Sequence, residues 1–230
     1  MATTDKPNGG QRIVVVNPNS TEAVTDGIDE AMAPLRFADG PRIDCLTLAE
    51  GPPGIESQRL ADGVIGPLCE LIRREDNRAD AFVIACFGDP GLHAARETTA
   101  KPVVGIAEAS YAAALQLGER FGVIAILENS ARRQRRYVRQ LGLSERYAAS
   151  LPVGLGVVEL EETGVGERMI EVGRRLIEDH GADVLILGCA GMARQRAPVA
   201  RALGVPVIDP SQAAAAQAIA AVRLGYGGPG

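Results

Sequence analysis

One stretch of this chain is written twice. Ala79-Asp-Ala-Phe-Val-Ile-Ala-Cys86 returns as Ala182-Asp-Val-Leu-Ile-Leu-Gly-Cys189. After each cysteine comes a glycine-containing turn, then a helix bearing alanine and arginine, then a proline-led apolar run, Pro102-Val-Val and Pro206-Val-Ile. A weaker echo pairs Ile13–Asn17 with Val123–Leu127. A supersecondary unit used twice restricts the fold to two similar halves. The first half is expected over 12–110, with 212–230 packed back onto it, and the second over 111–211. Residues 1–11 are polar and read as a flexible tail.

The repeated runs are apolar without alternation, as in strands buried on both faces. Arg12-Ile-Val-Val-Val-Asn17 is another, and its Asn17-Pro-Asn-Ser-Thr21 suits a turn and a helix N-cap. Further strands are expected at 43–48, 103–106, 121–127, 151–158 and 206–208. Between them lie helical stretches, including 21–33, 57–74 with a kink at Pro67, 165–180 and 192–203. Strands alternating with helices define an α/β fold. Here it is two pseudo-symmetric Rossmann-like halves, each a mostly parallel sheet flanked by helices, with the active site in the cleft between them.

Composition excludes several functions. The net charge is −5 and aromatics are 3% of 230 residues, which opposes phosphate-backbone binding and base stacking. No run approaches the roughly 20 apolar residues that span a membrane. Without a secretory signal the chain is expected in the cytoplasm, where four cysteines stay reduced. Two histidines are too few for most histidine-based metal sites, no Cys-x-x-Cys or His-Glu-x-x-His occurs, and no glycine-rich nucleotide loop follows the first strand. Arg132, Arg133, Arg135, Arg136 and Arg139 read as a solvated helix rather than an anion site. His93 reads as a surface residue and His180 as a helix cap.

Ligands of a parallel sheet bind beyond the carboxyl ends of its strands, where Cys86 and Cys189 both stand. Each precedes a turn into a helix, whose N-terminus favours a thiolate. Two thiols on opposite walls of one cleft meet a specific need. Inverting an acidic stereocentre takes a base on one face and an acid on the other. The backbone N–H groups of Phe87-Gly88 and Ala190-Gly191 are placed to meet the charge of the intermediate. Cys45 and Cys69 lack this symmetry and read as packing residues.

Asn17-Pro-Asn-Ser-Thr21, Gly54-Ile-Glu56, Ala85-Cys-Phe-Gly-Asp-Pro-Gly91, Gly105-Ile-Ala-Glu108 and Leu187-Gly-Cys-Ala-Gly-Met192 together resemble the hydantoin racemase family. That family belongs to the aspartate/glutamate racemase superfamily, and the resemblance runs from about 12 to 223. It implies a catalytic pair at Cys86 and Cys189, no cofactor, homo-oligomers, and a small-molecule substrate such as a 5-substituted hydantoin or allantoin. It also implies ligand contacts at Asn17 and Ser110. The chain departs from the family at Ala125-Ile126, where a threonine pair is common. Two other readings remain at this point: a maleate-isomerase- or decarboxylase-like enzyme using one cysteine, and a non-catalytic sensor.

Overall fold

The computed structural model describes residues 10–161 and 164–227. The expected tail at 1–11 lies outside them except for Gly10 and Gln11, as does the end of the expected closing segment at 228–230.

The chain opens with β1 (Arg12–Asn17), α1 (Glu22–Ala31), β2 (Arg42–Thr47), α2 (Gln58–Gly63), α3 (Ile65–Glu75), β3 (Ala81–Ile84), α4 (Leu92–Thr98), β4 (Val103–Gly105) and α5 (Ile106–Leu117). It continues through β5 (Phe121–Ala125), α6 (Glu128–Gln140), β6 (Tyr147–Pro152), α7 (Val165–Glu178), β7 (Val184–Leu187), α8 (Arg196–Leu203), β8 (Val207–Ile208) and α9 (Pro210–Leu224). Two four-stranded sheets result, in the order β2-β1-β3-β4 and β6-β5-β7-β8, and every pairing is parallel. The sequence repeat is thus a repeat of topology.

The uninterrupted apolar runs become the sheet centres. Ile13 to Val16, Phe82 to Ile84 and Val184 to Leu187 are all fully enclosed, as strands covered by helices on both faces must be. In each sheet the order reverses direction at its middle, between β1 and β3 and between β5 and β7. A crevice opens at such a switch point, outside the carboxyl ends of the strands. Val16 pairs with Ile84 and Ile124 with Leu187 at those two places, so Cys86 and Cys189 leave their sheets at equivalent points.

A single apolar cluster runs through both sheets, from Ile13, Val15 and Val83 to Ile124, Leu185 and Leu187. α9 completes it from the side of the first sheet, lying against β1, β3, β4 and α5. Its buried Ala214, Ala215 and Ala218 allow close approach. Asp209 caps it by accepting from Gln212 N–H at 2.8 Å, Pro210 opens it, and Gly225 ends it at φ 67°.

Three boundaries differ from expectation. The helix expected over 57–74 breaks at Val64, not Pro67; Pro67 lies in the first turn of α3, where a missing N–H costs nothing. The strand expected near 151–158 is β6 at 147–152, and the chain from Val153 becomes a loop containing Gly154 at φ 78°. The helix expected at 192–203 begins as a 3-10 turn over Ala190–Gln195 before α8.

Candidate active site

Cys86 opens a tight turn. Ala85 N–H is still bonded to Val16 O, and Asp89 N–H returns to Cys86 O at 3.0 Å. Gly88 takes φ 103°, open to glycine alone, and Asp89 takes φ 50°, the only positive φ among the described non-glycine residues. Asp89 is held there from above. Its Oδ1 accepts from Ala107 N–H at 2.8 Å, and its Oδ2 from Glu108 N–H at 2.9 Å and the Tyr137 hydroxyl at 3.1 Å. The carboxylate thus caps the N-terminus of α5, and Gly105 leaves room for it: a Cβ there would lie 2.3 Å from Asp89 Cγ. Burial pushes the Asp89 carboxyl up to about 7.

Cys189 precedes the 3-10 turn, where the nearby Gly191 N–H favours its thiolate. Both cysteines are free thiols, partly buried as residues. They line the same inner chamber, one from each half. Burial pushes the Cys189 thiol up to about 11 and the Cys86 thiol further still. Cys189 itself opposes ionisation of Cys86, while Arg133 favours it. The expectation that helix N-termini would favour both thiolates is therefore corrected. α4 begins only at Leu92, six residues beyond Cys86, and desolvation outweighs the single N–H at Cys189.

The chamber holds about 30 Å³, room for a water or two but not for a ring. It adjoins a vestibule of about 640 Å³ that shares Ile55, Cys86, Phe87, Gly88 and Arg133 and reaches out to the exposed His93.

Of the ligand contacts expected from sequence, Phe87, Gly88 and Ala190 line the chamber. Asn17, Ser110 and Gly191 do not. The Asn17 amide donates to Asn19 Oδ1, Thr21 O and Thr25 Oγ1, so it builds the turn after β1, and its neighbour Asn19 faces the chamber instead. Ser110 is enclosed in α5 and donates to Ile106 O at 2.5 Å. The Gly191 N–H favours the Cys189 thiolate. Cys45 on β2 and Cys69 on α3 lie elsewhere.

α6 supplies what sequence reasoning missed. Arg132, Arg135, Arg136 and Arg139 are exposed, but Arg133 turns inward, correcting the reading of the whole run as solvated. Ser130, Arg133, Gln134 and Tyr137 stand at positions i, i+3, i+4 and i+7, one face of the helix. The first three line the chamber, and Ile126, on the departure from the threonine pair, lies beside them. A polar stripe at the spacing of a buried face was the available signal. Among the described residues no three His, Cys, Asp or Glu side chains come together as a metal site.

Two parallel α/β sheets thus bring one thiol each to a shared chamber. The chain belongs to the Asp/Glu/Hydantoin racemase family, whose model matches residues 13–218; it is a racemase. It is 40% identical to the hydantoin racemase of Pseudomonas sp. (strain NS671) over 86% of this chain and 80% of that one. To the hydantoin racemase of Paenarthrobacter aurescens it is 36% identical over 94% and 92%. Among solved structures it superposes on the allantoin racemase from Klebsiella pneumoniae with a TM-score of 0.90 at 34% identity, covering 96% of this chain and 91% of that one.

Proposed function

We propose that this racemase inverts an acidic carbon held between Cys86 and Cys189, and that its substrate is a hydantoin-like ring such as a 5-substituted hydantoin or allantoin. The observation that carries the mechanism is positional: two cysteines leave equivalent strands and line one chamber. The names of the relatives support the substrate class.

The chemistry balances without an added reactant. The thiolate of one cysteine takes the proton from the carbon, and the C–H electron pair moves into the adjacent carbonyl to give an enolate. The thiol of the other cysteine delivers its proton to the opposite face as the carbonyl re-forms. The roles of thiol and thiolate are then exchanged, ready for the reverse reaction. Only one of two neighbouring thiols ionises at a time, and burial holds Cys189 less far above the ordinary thiol range than Cys86. The backbone at Phe87, Gly88 and Ala190 lies against the reacting carbon. The same reading includes a homo-oligomer working in the cytoplasm without a cofactor.

Polarimetry on enantiopure hydantoins and allantoin tests it. Wild type is expected to remove optical rotation, while Cys86→Ser and Cys189→Ser each leave it intact. Racemisation surviving in either variant would remove the two-base mechanism.

A further inference from the structure

Arg133 is drawn inward from α6 to a place the chemistry above has not used. It lines both the chamber and the vestibule. Its Nη1 is buried with no hydrogen-bond partner among the described residues, and Nη2 makes only a long 3.4 Å contact with Ser130 Oγ. An unpaired buried N–H costs on the order of 1–3 kcal/mol, more when charged, which an arginine serving packing alone would avoid. Its charge acts on Cys86. Glu56 attracts it, but Glu56 Oε1 is engaged by Val157 N–H. Gln134, the next residue, is 3% exposed, also faces the chamber, and has Oε1 unpartnered.

We propose that Arg133 is a catalytic residue: its Nη1 donates to the carbonyl oxygen beside the acidic carbon and holds the charge that oxygen gains in the enolate. Gln134 Oε1 accepts from an N–H of the same ring. Together they fit the C=O and N–H of a neutral cyclic amide. This role rests on the two-cysteine racemase reading and names the feature of the substrate that the site recognises.

Charge balance favours a neutral substrate over one bearing a carboxylate. Before reaction the chamber holds the Arg133 guanidinium and one thiolate, with the Glu56 carboxylate close behind its wall. A carboxylate would add a second uncompensated negative charge in a desolvated space. A neutral cyclic amide adds none. Removing its proton turns the thiolate into a thiol and moves the same charge onto the oxygen facing Arg133. Donors that meet charge only as it develops lower the barrier without tightening ground-state binding.

The test compares wild type with Arg133→Met, Arg133→Lys and Arg133→Ala on enantiopure hydantoins and allantoin. Arg133→Met is expected to lower kcat by about 100- to 1000-fold while KM changes by less than about fivefold. Arg133→Lys keeps the charge without the fork and falls between them. Guanidinium ion at non-denaturing concentration is expected to restore Arg133→Ala by about tenfold or more, which a purely structural role would not allow. If Arg133→Met does not fold, Arg133→Lys and the rescue of Arg133→Ala decide. With wild type active, a kcat within about threefold of it in Arg133→Met, a loss confined to KM, or no rescue overturns the role of Arg133 alone. A wild type inactive on every cyclic amide overturns the cyclic-amide substrate reading and this role together.

Discussion

The carboxylate of Glu56 accepts a hydrogen bond from the backbone N–H of Val157 at 2.9 Å, joining a loop of the first half to a loop of the second. Gly54 allows the approach, since a Cβ there would lie 3.0 Å from Val157 Cβ. Ile55 and Val157 both line the inner chamber. The bond is therefore a clasp between two loops that wall the chamber, and its release is expected to widen the way in for a ring.

Glu56→Ala is expected to loosen that clasp. A hydrogen bond to a charged group contributes roughly 1.5–3 kcal/mol, so the open form should gain about tenfold or more in population. Alkylation of Cys86 and Cys189 by iodoacetamide reads this directly and should accelerate by a similar factor. Glu56→Gln keeps the acceptor and should leave the loops closed, while removing a negative charge that opposes ionisation of Cys189. Unchanged alkylation in Glu56→Ala would mean that the clasp does not govern access.

The reaction needs one thiolate, and burial raises both thiols, Cys189 to about 11. Below that value the thiolate fraction of the free enzyme rises about tenfold per pH unit. The kcat/KM profile is accordingly expected to climb through pH 7 to 9 with no plateau near the ordinary thiol range. A plateau beginning at pH 7 would contradict the burial of the pair. Stability moves the other way. In the unfolded chain the thiol ionises near 9.0, so the contribution of Cys189 is fully present below pH 9 and is lost as pH rises to about 11.

Asp89 ties the Cys86 turn to α5 and α6 through three accepted hydrogen bonds. Asp89→Ala should cost roughly 2–4 kcal/mol in urea unfolding, from a lost cap and an unsupported left-handed backbone. The group also shapes the pH dependence. Its carboxyl sits at about 7 when folded against 3.8 ordinarily. Its contribution is complete below pH 4 and is lost between pH 4 and 7, as the unfolded chain ionises first. Asp89→Asn cannot ionise, so the gap in urea midpoint between Asp89→Asn and wild type should change across that range and level off above it. A constant gap would place the charge elsewhere.

The fold was legible because its strongest constraint is local. An apolar run ending in Cys86 and another ending in Cys189 can only be twin buried strands, and twin strands with helical connections give twin parallel sheets. The cysteines were found with them. Arg133 was not, because an isolated run of five arginines satisfies the solvated pattern, and only the packing of α6 on β5 and β6 beside the shared chamber turns one of them inward. Asn17 and Asn19 illustrate the same gap. Both belong to one polar turn, and which amide faces the chamber depends on hydrogen bonds to Thr21 and Thr25 that the turn makes after folding. The loop after β6 reads as a strand because Val153, Leu155 and Val157 continue a strand-like alternation, yet they are buried in the apolar cluster that runs through both sheets rather than within a sheet.

The most direct test of the central claim is where solvent hydrogen goes. An enantiopure hydantoin or allantoin that the enzyme turns over is incubated in D2O, and deuterium is measured at early times in the product enantiomer and in recovered substrate. With Cys86 and Cys189 on opposite faces, the product receives its hydrogen from a thiol already exchanged with solvent. Deuterium is then expected in essentially all of the product and in little of the recovered substrate. Product that retains the original protium, or equal early labelling of both enantiomers, would mean that one group serves both faces, and the two-cysteine account would be wrong.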